Sequence, residues 1–149
     1  MFAGVGDAFA INGGGLGLTA NSSISNLTLN GGTLSGTGSV VVTDAFNWTG
    51  GAISGPGLFV TANTSTTTLS GGTKTLVGRT WEQQGAVTWM GGDIVLGNAA
   101  VLNNRPGGTI LVNAANGPSN NILGTGTLKN FAGATFNVAP EAIEITIRG

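Results

Sequence analysis

The chain has 149 residues, of which 28 are Gly, 40 % are apolar and 7 % are charged, with no Cys, no His and a formal net charge of −1. That length fits one domain, the apolar content with so few charges excludes an ordinary disordered chain, and Gly without a strict third-residue period excludes collagen. Near-neutral charge argues against nucleic acid and against an anionic membrane surface, and the missing Cys excludes disulfides and thiolate metal sites.

Residues 1–10 read as a lead-in. MFAGVGDAFAI has no basic segment ahead of its apolar residues and carries Asp7, so it does not have the form of a secretory signal. No apolar run approaches the roughly 20 residues that cross a bilayer, and no membrane insertion is expected.

From Leu27 to Trp89 the chain repeats itself: LTLNGGTLSGTGSVVV, FNWTGGAISGPGLFV, TTLSGGTKTLVGRTW and VTWMGGDIVLGNAAV. In each copy an apolar residue stands two places before a Gly-Gly pair. The column extends back to Ile11 and, with the glycines shifted, forward through GGTILV and GATFNV. It reads Ile11, Leu29, Trp48, Leu69, Trp89, Ile110 and Phe136, with successive differences of 18, 19, 21, 20, 21 and 26. A period near 20 residues marks a solenoid, in which one turn cannot bury its own apolar face and must stack on the next.

The residue before the column is Thr28, Asn47, Thr68, Thr88, Thr109 and Thr135, polar every time. Such alternation predicts strands with the column inside and the polar row outside. Two further columns are expected to face in: Leu34, Ile53, Lys74 and Ile94, where only Lys74 breaks the pattern, and Val41, Val60, Trp81 and Val101. Each coil thus has two or three inward strands. The glycines, with Asn second, serve corners where a positive φ costs Gly least.

AANGPSNN, residues 114–121, reads as an insertion, since Asn-Gly-Pro cannot continue a strand. LGTGTLKNFAGATFNV resumes the pattern and Pro140 ends it. In EAIEITIRG, Ile143, Ile145 and Ile147 alternate with Glu144, Thr146 and Arg148, which predicts a final strand. The whole is one domain, residues 1–149, with about seven coils over 11–138 and a C-terminal strand, cap or inter-subunit contact over 139–149.

The coil motifs GGTLSGTGSVVV, FNWTGGAISGPG and LSGGTKTLVGRTW resemble the repetitive passenger regions of bacterial adhesins, autotransporters and filamentous-haemagglutinin-like proteins, over roughly residues 11–138. The resemblance implies a right-handed parallel β-helix, an extracellular or cell-surface setting, and a role as stalk, adhesive surface or fibre module.

Residues for chemistry are scarce. Without His or Cys there is no zinc or haem ligand cluster and no Ser-His-Asp set, and only GGDIVLGNA carries the Asp a calcium-binding β-roll repeat needs. SGGTKT lacks the spaced first glycine and following helix of a phosphate loop. Glycoside cleavage needs paired carboxylates on neighbouring coils; Asp44 and Glu82 alone fall near one column, about two coils or ~10 Å apart. Lys74, Arg79 and Glu82 share a coil and read as a solvated charge group. Lattice binding by the threonine row is set aside because the row two places on breaks to Met90 and Leu111. No catalytic residue, cofactor or metal is therefore expected.

The reading is a non-enzymatic extracellular solenoid, structural or adhesive, that polymerises head to tail. Phe2, Val5 and Phe9 at one end and Ile143, Ile145 and Ile147 at the other are the assembly candidates, because strand edges are templates for another chain. The alternative is a carbohydrate-binding stalk module with a surface polysaccharide as partner; an exposed aromatic pair would favour it, buried tryptophans the structural role.

Overall fold

A computed structural model describes residues 7–113, 120–139 and, for the backbone alone, 145–148. Every described regular element is a strand, and each strand pairs in parallel with the equivalent strand one coil away. Strands β1 (Ala8–Ile11) and β2 (Gly15–Gly17) come first. Long and short strands then alternate: β3 (Ser22–Leu29), β4 (Thr33–Ser35), β5 (Val40–Trp48) and β6 (Gly51–Ser54). Thereafter each coil has three short strands. They are β7 (Leu58–Thr61), β8 (Thr66–Leu69) and β9 (Lys74–Val77); then β10 (Thr80–Gln83), β11 (Ala86–Trp89) and β12 (Ile94–Gly97). After these come β13 (Val101–Asn104), β14 (Thr109–Val112) and β15 (Asn120–Gly124), followed by β16 (Thr127–Asn130), β17 (Thr135–Val138) and β18 (Ile145–Arg148).

These strands stack into three ladders. The first holds the N-terminal halves of β3 and β5, then β7, β10, β13 and β16. The second holds β1, the C-terminal halves of β3 and β5, then β8, β11, β14 and β17. Because β3 and β5 run through the bend, these two ladders form one 11-stranded sheet; the third ladder is a 7-stranded sheet from β2 to β18. The molecule is a parallel β-solenoid. Among the described residues no helix is long and apolar enough to cross a membrane.

The second ladder carries the repeat column. Pairing runs Ile11, Leu29, Trp48, Leu69, Trp89 and then Val112 and Val138. Ile110 and Phe136 do not continue it: they pair with Val87 and with each other, one inward position earlier. Thr109 and Thr135 likewise leave the row of Thr28, Asn47, Thr68 and Thr88, whose next member is Leu111. The cause lies in the glycines: Gly31–Gly32 and Gly50–Gly51 follow a second-ladder strand, whereas Gly107–Gly108 precede β14 at a different corner. A register anchored on glycine therefore slips by two.

The other two expected columns also split. Leu34 and Ile53 continue to Leu76 and Leu96, while Lys74 pairs with Gly51 and Ile94; both rows face in, two residues apart. The corner after the second ladder lengthens from two residues (49–50) to four (70–73), which shifts the count. Val41 and Val60 face outward, in the row of Glu82 and Asn103. Val101 pairs with Thr80, so it too is outward, while Trp81 alone of that set faces in, between Phe59 and Leu102.

The core is filled by aromatics at mid-height. Phe46, Trp48, Phe59 and Trp81 form a cluster with ring centroids 5.0–6.2 Å apart, mostly edge to face, the arrangement the ring quadrupole favours. All four are at most 1 % exposed.

Candidate functional site

Two arrangements of polar side chains stand out, one inside the coils and one on their outer face. The inner one explains the motif Trp-x-Gly-Gly. The corner after the second ladder turns carbonyls inward, and each needs a donor. Trp48 Nε1 donates to the Gly50 carbonyl at 2.9 Å and Trp89 Nε1 to Gly92 at 2.8 Å. In the intervening coil the column residue is Leu69, which has no donor. Lys74 takes the role: its Nζ donates to the carbonyls of Ser70 (2.8 Å), Gly72 (2.6 Å) and Gly91 (2.9 Å). Lys74 is 0 % exposed. Burial lowers its ammonium to a pKa of about 8, against an opposing pull from Asp93.

Arg79 does the same across two coils at the corner before the first ladder. Its Nη1 donates to Ser54 (2.7 Å) and Gly36 (3.1 Å), and its Nη2 to Gly38 (2.7 Å) and Leu58 (3.2 Å). At 1 % exposure its pKa is lowered by burial. Lys74 and Arg79 are thus not a solvated group with Glu82: both point in, and Glu82 points out. Alternation rules assign cations to the surface; carbonyl-rich corners invert that, because several fixed acceptors offset part of the cost of burying the charge, although Arg79 Nε is left without a partner.

A third feature is a row of one hydroxyl and three amides. Thr61, Gln83, Asn104 and Asn130 succeed one another on the first ladder. Thr61 Oγ1 donates to Gln83 Oε1 at 2.9 Å, Gln83 Nε2 donates to the Gly85 carbonyl at 2.8 Å, and Asn104 Nδ2 donates to Asn130 Oδ1 at 2.7 Å. Trp81 Nε1 joins at Thr61 Oγ1, 3.0 Å away.

On the outer face the first and second ladders meet in corners of unequal length. Residues 62–65 and 105–108 make four-residue corners, while 84–85, between them, make a two-residue corner. The short corner leaves an open notch of about 560 Å³, lined by Leu58, Val60, Asn63, Glu82, Gln84, Arg105 and Pro106. Its walls are two coils apart, about 10 Å. Leu58 is 43 % exposed and half-buried Val60 lies beside it on the apolar side.

The polar side of the notch is held in place. Arg105 pairs with Glu82 through Nε to Oε2 and through Nη2 to Oε1, the latter at 3.0 Å. Asn103 Nδ2 donates to the same Oε1 at 2.9 Å, and the guanidinium lies 4.5 Å from the Phe131 ring centroid. Burial works to raise the Glu82 carboxyl, but the hydrogen bonds from Arg105 and Asn103 and the Arg105 charge outweigh it and keep it below its ordinary value.

Asp44 is not in the Glu82 row; it is exposed in the corner between the halves of β5, and the row nearer Glu82 is Val41 and Val60. Asp93 accepts from the Asn121 backbone N–H and Nδ2, at 2.9 and 2.8 Å. No three acidic residues gather into a metal-sized group among the described residues. Trp48, Trp81 and Trp89 are all buried, at 0, 1 and 1 % exposure. Of the assembly candidates, Phe9 packs partly buried against the core and pairs with Leu27. Ile145 and Ile147 lie in β18 against Asn120 and Ile122. Phe2, Val5 and Ile143 fall outside the described residues.

Fold and site together define a parallel β-solenoid whose cations staple its corners. No family model, curated protein or solved structure matches the chain at a significant level.

Proposed function

We propose that the chain is a non-enzymatic structural module, a stiff solenoid segment of an extracellular stalk or adhesive fibre, stacking end to end with further copies. One observation carries this reading: three ladders of parallel strands share an unbroken core, with Lys74, Arg79, Thr61, Gln83 and Asn104 directed into it. The Lys74 ammonium and the Arg79 guanidinium are bonded to backbone carbonyls. Burial of all three tryptophans adds support for a structural role, since their rings serve the core and none is presented on the surface. End-to-end growth is supported by the half-buried Leu128 and Phe136 in β16 and β17 and by the exposed amide of Asn130, the last member of its row among the described residues. A copy docking there would extend ladder, core and amide row together.

Sedimentation of the purified chain from low to high micromolar concentration, with electron microscopy of the same samples, tests the assembly. Concentration-dependent growth into filaments, altered by deleting residues 140–149, is the expected outcome. Monomers of both forms at every concentration, with no filament, would sink the proposal.

A further inference from the structure

We infer that the notch at residues 84–85 is a binding site for a neutral, hydroxyl-rich ligand, one or two rings of an uncharged polysaccharide. This inference does not depend on end-to-end assembly. Its first ground is shape: two four-residue corners flank a two-residue one, so the recess is built by the backbone and not by mobile side chains. A width of about two strand spacings admits a sugar ring edgewise.

The second ground is chemistry. Leu58 and Val60 on β7 supply an apolar strip for the C–H face of a ring, and Pro106 adds an apolar edge to the opposite wall. Asn63 and Gln84 carry carboxamides at the notch, and among the described residues no side-chain hydrogen bond is made by either. A carboxamide both donates and accepts, as a hydroxyl does, so amides at the rim match vicinal hydroxyls in either sense. Glu82 receives three hydrogen bonds from Arg105 and Asn103, leaving one of its roughly four acceptor positions for a ligand hydroxyl.

The third ground is charge. Glu82 and Arg105 neutralise each other within hydrogen-bonding distance, so the pair gives the notch no net charge to attract an anion or a cation. An acidic sugar would have to displace Glu82 from Arg105 and leave that carboxylate facing like charge. A neutral chain leaves the ion pair intact. The pair is then a positioning device, and its coupling to Phe131 on the next coil fixes the notch wall.

The test uses the full chain, with cellohexaose, mannohexaose and chitohexaose as neutral probes and a galacturonic acid hexamer as the acidic one, followed by amide-resolved NMR titration. Saturable shifts with at least one neutral hexamer, centred on the amides of Asn63, Gln84 and Arg105, are expected. Gln84→Ala, which removes the rim carboxamide, should weaken that binding severalfold while the thermal melt is unchanged. Asn63→Lys, in an exposed corner, provides a second variant in case the first disturbs folding, and should weaken it severalfold. No saturable shift with any neutral hexamer, binding of the acidic hexamer alone, or unchanged affinity in both variants would overturn the assignment.

Discussion

At the scale of single residues, Lys74 is where sequence and environment disagree most, and the disagreement is measurable. Its folded pKa is about 8 against an ordinary 10.5. Below pH 8 both folded and unfolded chains hold the proton, and burying the charge costs stability in full. Between pH 8 and 10.5 the unfolded chain binds more protons than the folded one, so stability rises with pH, by up to about 3 kcal/mol. Few other side chains titrate in this window, because the chain has no Cys, His or Tyr and only one other lysine, Lys129. Urea midpoints at half-unit steps from pH 7 to 11 should climb, and Lys74→Met should abolish the climb. A flat profile in the unsubstituted chain would mean that the ammonium is fully compensated by its three carbonyls. Glu82 has the opposite sense: its depressed carboxyl contributes stability above its unfolded pKa, and that contribution is lost as pH falls into the acid range. The inward direction of Lys74 had a signal in the sequence, since it occupies an inward parity position in an otherwise regular strand. Arg79 had less: it sits in a corner, where alternation gives no direction.

At the scale of the elements, the stack depends on what each corner allows. Gly51 has φ +81°, and a Cβ there would lie 2.6 Å from the Gly32 carbonyl oxygen, which is backbone and cannot swing aside. Gly51→Ala should therefore destabilise by at least about 2 kcal/mol. Gly13 has no atom within 4 Å of such a Cβ and no positive φ, so Gly13→Ala should stay within about 0.5 kcal/mol, both read from denaturant midpoints. Trp89→Ala should cost about 3–5 kcal/mol, because the ring is buried among Trp81, Val87 and Ile110 and its N–H holds the Gly92 corner. A loss under 1 kcal/mol would show that the coil collapses around the gap. The parallel solenoid was legible because apolar alternation and a 20-residue period report it directly, as did the sequence of Ile11, Leu29, Trp48, Leu69 and Trp89. Register beyond Trp89 was not, because Gly107–Gly108 look like the earlier pairs yet belong to another corner. The notch was hidden for a related reason: it arises from the difference between corner lengths on three successive coils, which no single repeat contains.

For the whole molecule, stability follows from neighbours alone, coil on coil, except where Arg79 reaches through two coils. The middle therefore holds the aromatic cluster and the longest-range staple, and the outer coils hold neither; fraying from the ends is the expected form of partial unfolding. That distribution has an optical consequence. With no tyrosine and three tryptophans, all buried, ultraviolet emission comes from the centre of the rod only. Trp48 and Trp81, with centroids 6.0 Å apart and rings at 65°, are close enough for their transitions to couple and give a two-signed circular dichroism band. Such a signal would persist while terminal coils open and vanish only when the middle gives way. Fluorescence and dichroism melts would then report a single sharp transition for a molecule whose amide protons, coil by coil, exchange on a graded scale.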